Sequence, residues 1–332
     1  MYFDDLDKVA FFEPVKQDVN KLCILAGYAT PNMASWLIKN ISEKLTKPIE
    51  IELIVGMVPF DGLSVAVHEG FKELQTSTMP PHITKFTCSY VYNNDPVHTK
   101  MYIWLKDNTP KVAYTGSANF TQIAFSLNRR ENLINCDATE AYEYYKAIQN
   151  DSIYCNHSEI EDHIIIYPTH PILDVENNPV EDLSGGGVEK VVLSLLNSKT
   201  GETHPKSGLN WGHRKNRYVL KSGEVKYGER NKNESYIPLP AVIARSGFFP
   251  LDKQHFSVVT DDKHQLILRV EQQKDKAITT PLSNALLGEY FRNRLGLSNG
   301  AYVHKEDLVK YGRTDVTFYK LDEEQYYMDF SV

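Results

Sequence analysis

Paired cysteines are missing from this sequence. Its four thiols, Cys23, Cys88, Cys136 and Cys155, are widely spaced, and no two form a C-x-x-C unit. That spacing excludes a disulfide framework and a cysteine-built zinc site. Long hydrophobic runs are absent too: none approaches the ~20 apolar residues that cross a bilayer, so no membrane partner is expected. The start, Met1-Tyr2-Phe3-Asp4-Asp5, is acidic and lacks the basic and apolar parts of a secretory signal. A cytoplasmic protein is expected. A G-x-x-x-x-G-K-[ST] phosphate loop is also lacking, which excludes an ATPase of that type within the chain.

Bulk composition is that of a globular protein, with 42% hydrophobic and 24% charged residues, and 332 residues suffice for two domains. The net charge of −7 does not suggest a nucleic-acid partner, but its distribution does. Residues 1–180 carry 14 basic against 23 acidic side chains, whereas residues 181–332 carry 22 against 20. Within Lys199–Lys232 nine basic residues face three acidic ones. That excess fits a polyanion-facing surface in the second half. A solvated basic loop would give the same local charge.

The first half alternates element types. Residues 21–30 and 49–58 read as buried strands, and 32–45 and 63–75 as helices, the former with Asn32 as its cap. Residues 84–92, 99–106 and 111–119 alternate like strands, with a hairpin at Asp107-Asn108-Thr109-Pro110, and helix is expected around 121–127. The pattern predicts an α/β domain with a mixed sheet and flanking helices, residues 1–165. A segment rich in Pro, Asn, Asp and Gly, with three consecutive glycines at 185–187, marks a linker over 166–187. Residues 188–332 then show short strand patterns at 188–196, 235–244, 255–260, 264–272, 315–321 and 326–330, and one clear helix at 283–295. These predict a mainly β, barrel-like domain.

One stretch carries chemistry. In "VHTKMYIWLKDNTPKVAYTGSANFT", residues 97–121, His98 and Lys100 lie two apart. On a strand both would project from one face. Ser117 and Asn119 are likewise two apart on the next strand, so a hairpin would bring imidazole, ammonium, hydroxyl and amide together. A nucleophile with a cluster of donors suits a phosphodiester. Gly116 is expected to let backbone approach the substrate.

These residues resemble the signature of the phospholipase D superfamily, a His-x-Lys followed by Gly-Ser-x-Asn in its nucleases. "RREN" adds Glu131, matching the Glu those nucleases carry after the Asn. The Asp expected five residues after the Lys is Leu105, and Asp107 sits two positions late. The resemblance implies metal-independent, cofactor-free hydrolysis in two steps: His98 attacks phosphorus, and a second His protonates the leaving oxygen and then activates water. Lys100, Asn119 and Ser117 would hold the phosphoryl oxygens, and Glu131 would orient the imidazole. The sequence has a single His-x-Lys, so two chains pairing their motifs across a two-fold axis would make one site.

In the second half, Asn210, Trp211, His213, Arg214, Lys215 and Arg217 form a basic, hydrogen-bonding stretch, with Arg and Asn suited to guanine and adenine edges. Together with "GEYFRNRLGL" and "YGRTDVTFYKL", it resembles the restriction endonucleases of the NgoFVII family over nearly the whole chain. That resemblance implies a phospholipase-D-like nuclease domain and a DNA-reading pseudobarrel of the plant B-three type. One arm would lie around 209–236, and a second would offer Gln272, Gln273, Lys274 and Lys276. It further implies double-stranded DNA as partner, a short GC-rich target, a cognate methyltransferase and, in some relatives, a separate helicase-like ATPase. The function expected is sequence-specific DNA cleavage by a homodimer. A lipid hydrolase sharing His98, or a DNA-binding regulator without catalysis, are the alternatives.

Overall fold

The computed structural model describes residues 1–93, 95–125, 130–167, 188–219 and 222–332. The chain divides into two compact units, Met1–Leu173 and Asp174–Val332. The expected linker and its three glycines lie outside the described residues, apart from Ile166 and Tyr167.

In the first unit the strands are β1 (Lys21–Ala26), β2 (Ile49–Val55), β3 (Leu63–Ser64), β4 (Ile83–Val91), β5 (Met101–Lys106), β6 (Thr109–Gly116), β7 (Leu133–Cys136), β8 (Ser152–Tyr154) and β9 (Ile166–Tyr167). Seven of them form a sheet in the order β7-β6-β5-β1-β2-β4-β8. β1 is parallel to β2 and antiparallel to β5, so the sheet changes sense at β1. Leu22 to Ala26 are all fully buried, the continuous apolar run that a central strand covered on both faces requires.

The connection from β1 to β2 is the Pro31–Ser42 helix, and that from β2 to β4 includes the Val65–Thr76 helix. Thr30, rather than the expected Asn32, caps the first, its hydroxyl accepting from the Met33 N–H, with Pro31 opening the first turn. Asn32 is buried inside the helix. A third helix, Ala138–Asn150, is capped by Asp137 and was not anticipated; it buries only Ala141 and Tyr145, too few apolar positions to announce a helical stripe. Those two pack with Cys23, Leu25, Ile54, Ile103, Leu105 and Ala113 on one sheet face.

β5 and β6 form the expected hairpin, with positive φ at both Asp107 and Asn108, as a tight two-residue turn demands. Helix is present at Gln122–Phe125, and residues 126–129 lie outside the described set.

The second unit is mainly β. Its strands are β10 (Lys190–Ser194), β11 (Asn216–Val219), β12 (Val225–Gly228), β13 (Ile237–Pro238), β14 (His255–Thr260), β15 (Gln265–Glu271), β16 (Ala277–Thr279), β17 (Asp315–Lys320) and β18 (Gln325–Asp329). Seven pair in the order β10-β17-β18-β14-β15-β16-β13. The two edge strands, β10 and β13, come back against each other, so the sheet is a nearly closed pseudobarrel. Its interior holds Phe249, Phe256, Leu268, Phe318 and Tyr326, with Leu287 and Phe291 from the expected helix, Ala285–Arg294. Residues 235–244 are not one strand: only Ile237 and Pro238 pair, with β16, and after Pro240 the stretch Ala241–Ala244 turns helical. A short helix at Lys305–Tyr311 was also not anticipated. β11 and β12 stand apart as a two-stranded hairpin.

Candidate active site

His98 and Lys100 do not lie on a strand. They precede β5, and Met101 then pairs with Leu25 near the C-terminal end of β1, where the sheet changes sense. The two side chains consequently differ in exposure: the His98 imidazole is exposed, whereas Lys100 is 5% exposed. Lys100 Nζ reaches back to donate to the His98 carbonyl at 2.5 Å. Burial pushes the ammonium pKa down, and the nearby Glu131 carboxylate opposes that shift. Gly27, at the end of β1, lies under the ring. A Cβ there would stand 2.9 Å from His98 Cδ2, so only glycine leaves the imidazole its place.

Ser117 and Asn119 follow β6 directly. The Ser117 hydroxyl donates a short hydrogen bond to Glu131 and accepts from the Asn132 N–H at 3.0 Å. Its proton is thus committed to the carboxylate, and Ser117 braces Glu131 instead of pointing a donor outward. Glu131 correspondingly meets Ser117 and not His98, unlike the orienting contact that the resemblance implied. The close approach at Gly116 is also to the protein itself: a Cβ would fall 2.1 Å from the Asn132 carbonyl oxygen. Glycine therefore lets residues 116–117 lie against 131–133, and this sets where Glu131 stands. The Tyr102 hydroxyl donates to the Ala118 carbonyl at 2.8 Å and fixes the backbone between Ser117 and Asn119.

Tyr28 was invisible to sequence reasoning and is central here. Its N–H donates to Asn119 Oδ1 at 3.1 Å, its ring meets the His98 ring edge-on with centroids 5.8 Å apart, and its hydroxyl donates to Asp61 at 2.6 Å. That bond and the carboxylate's charge push the phenol pKa up. With Oδ1 taken, the Asn119 NH2 group meets no acceptor among the described residues and is left for a ligand. Phe60, one residue before Asp61, is 72% exposed and adds an apolar rim. On the other side of His98 a cleft of about 410 Å³ is lined by Asp95, Thr99, Tyr144 and Asp151. Among the described residues no second imidazole contacts His98.

Asp107 does not join this group. It sits in the turn at the far end of the hairpin, bonded to Asn20 through both its N–H and its carboxylate. Leu105, at the position where the signature carries Asp, is fully buried in the apolar core.

In the second unit the expected DNA-facing residues separate into two groups. Arg214, Lys215 and Arg217 are exposed at the start of the β11–β12 hairpin. Gln272, Gln273, Lys274 and Lys276 are exposed on the turn joining β15 to β16, whose base is braced by Arg269 paired with Glu271. Asn210, by contrast, is 0% exposed, its amide bonded to Val303 through both Nδ2 and Oδ1. It holds the fold and is not free to read a base. Trp211 is half-buried beneath the Arg230 guanidinium, 4.4 Å from its centroid. His213 packs on Tyr302, and burial pushes its pKa down. Arg292, which sequence reasoning passed over, is also 0% exposed. It donates to the carbonyls of Leu209, Lys232, Gly288 and Ala301 at 2.7–3.2 Å. It thereby fastens both ends of the segment that carries the hairpin.

The NgoFVII restriction endonuclease N-terminal phospholipase-D domain matches residues 4–162, and the NgoFVII C-terminal B3-like DNA-binding domain matches residues 184–322. Fold and matches together define a phospholipase-D-type nuclease domain joined to a DNA-binding domain. The chain belongs to the NgoFVII family of restriction endonucleases. No curated protein matches it in sequence. Among solved structures it is similar to Nuc, a phospholipase D family member from Salmonella typhimurium, at 16% identity over 44% of this chain and 89% of that one, with a TM-score of 0.32. NucT from Helicobacter pylori gives 19% identity over 45% and 92%, with a TM-score of 0.31. The family assignment does not rest on either. No described helix is long and apolar enough to cross a membrane.

Proposed function

We propose that this protein cuts DNA at a specific sequence through a covalent phosphohistidine, without metal or cofactor, in a site shared by two chains. The observation that carries the proposal is the exposed imidazole of His98, edge-on to the ring of Tyr28 whose N–H holds Asn119, with Lys100 Nζ bonded to the His98 carbonyl and no second imidazole in contact among the described residues. The His98 nitrogen attacks phosphorus and the bond to the leaving oxygen breaks. The partner chain's copy of the same imidazole supplies the proton to that oxygen. Water, deprotonated by the partner imidazole, then attacks the phosphohistidine and frees His98. Lys100 and the Asn119 NH2 stabilise the charge on the non-bridging oxygens, and Glu131, tied by Ser117, opposes the downward shift that burial gives the Lys100 ammonium. The exposed rim of Tyr28 and Phe60 suits the facing of a second chain.

The nuclease is a cytoplasmic restriction enzyme, where its four free thiols stay reduced. Arg214, Lys215, Arg217 and the 272–276 turn grip the DNA, with a short GC-rich target. A cognate methyltransferase protects the host, and any ATP dependence comes from a separate helicase-like subunit. The test is cleavage of a random-sequence DNA pool in EDTA, with trapping of acid-labile, alkali-stable phosphate on the protein. His98→Ala should abolish both cleavage and trapping while DNA binding persists. Cleavage retained in His98→Ala, or turnover of lipid in place of DNA, would sink the proposal.

A further inference from the structure

On the Val65–Thr76 helix, His68 is 1% exposed and its Nε2 has no hydrogen-bond partner. Its Nδ1 lies 3.3 Å from the Tyr90 hydroxyl, which fixes the ring. Nε2 aims at two carboxylates: Glu69, whose Oε1 is 3.9 Å away, and Glu161 of the short Ile160–His163 helix. The three ligand atoms lie within 4.8 Å of one another.

Neither tautomer satisfies this nitrogen. As an N–H it is too far from the nearest carboxylate oxygen to bond, and as a lone pair it faces negative charge. A cation between the three groups removes both difficulties. We propose that His68, Glu69 and Glu161 bind one divalent cation of zinc type, in a site that shares no residue with the His98 centre. One imidazole and two carboxylates are a borderline donor set that suits zinc, and the Tyr90 hydroxyl is the outer partner that ligating histidines use to hold their orientation. Lys72 donates to Glu69 Oε1 at 2.7 Å and is part-exposed. It competes with the cation and swings into solvent when the cation binds.

The cation has a structural task. Glu161 belongs to a stretch late in the nuclease unit that is also held by the two-residue ladder of β9 on β3, the bond from the Leu63 N–H to the Ile165 carbonyl, the buried Ile160 and Ile164, and the His163 ring against Tyr92. Bridging Glu161 to the Val65–Thr76 helix clips that strap to the unit. The bound ion requires no part in cleavage, so the proposal is independent of the reaction assigned to His98.

The test is zinc titration of the metal-stripped full chain, read by calorimetry and by thermal shift, with cobalt as a spectroscopic probe. One equivalent per chain and a raised melting temperature are expected. Glu161→Gln, exposed and without effect on packing, should weaken binding by about tenfold or more, and Lys72→Met should tighten it. His98→Ala should keep the equivalent. No uptake, uptake unchanged in Glu161→Gln, or loss of the equivalent in His98→Ala would each overturn the assignment.

Discussion

The backbone N–H of Tyr28 and the side-chain oxygen of Asn119 are joined by a 3.1 Å hydrogen bond that spans 91 residues of sequence. It decides which end of the amide faces the candidate site. Asn119→Asp keeps the acceptor but replaces the NH2 donor with a carboxylate oxygen. Single-turnover cleavage should fall about 10²–10³-fold, as for loss of one oxyanion donor, with the melting temperature unchanged. Cleavage at the native rate would remove Asn119 from the machinery.

Tyr28 acts through its ring and its hydroxyl separately. Tyr28→Ala removes the edge that borders His98 and should lower the cleavage rate about tenfold or more by loosening the imidazole, with DNA affinity little changed. Tyr28→Phe keeps the ring and loses only the bond to Asp61, so it should retain most of the rate. Equal losses in both would show that Asp61, and not the ring, sets the position.

Arg292 is a stability residue in a family of DNA readers. Arg292→Met takes the guanidinium from four backbone carbonyls, of which Leu209 keeps the Ser235 hydroxyl as a donor, at a cost of about 3–5 kcal/mol. Denaturant unfolding of the full chain should show that loss in the transition of the second unit. An unchanged transition would mean that water replaces the guanidinium.

Charge removal on the hairpin should act on binding alone. Lys215→Ala and Arg217→Ala should each weaken DNA binding and reduce the slope of log affinity against log salt by about one if the side chain meets phosphate. A loss confined to the cognate sequence, with the slope intact, would identify a base contact instead.

His213 makes stability depend on pH. Burial lowers its pKa in the folded state, with Arg292 and Lys232 adding to the shift and the Ala301 backbone opposing it. The unfolded chain therefore binds the proton more readily, so stability should fall as pH drops below about 6.5 and level off below the folded value. Comparing melting temperatures at pH 7.5 and 5.5 checks this, and His213→Asn should reduce the slope.

Much of the architecture was legible because it is written locally. β1 is a continuous apolar run, the β5–β6 hairpin has Asp-Asn at its turn, and the nuclease signature lies within a few dozen residues. Features built from distant segments were not legible. Tyr28 comes from the end of β1, and nothing in its neighbours announces that its N–H holds Asn119. Asn210 looked like a base reader because an amide serves equally well inside a fold, and only burial separates the two uses. Arg292 reads as one more surface cation because its acceptors are main-chain oxygens, which carry no residue identity. The exposure of His98 and the burial of Lys100 were also hidden, since the pair precedes the strand in which alternation would have applied.

The clamp at Arg292 bears on how such a protein could change its target. The β11–β12 hairpin has its own ladder and is fastened at both roots by main-chain carbonyls, and among the described residues the side chains of Arg214, Lys215 and Arg217 make no hydrogen bond or ion pair. Positions 214, 215 and 217 can therefore drift through many residue types at little cost to the barrel. On the proposed reading, divergence in target sequence would accumulate there, while Arg292 and Gly288, where a Cβ would fall 1.8 Å from the Asn233 carbonyl oxygen, stay fixed.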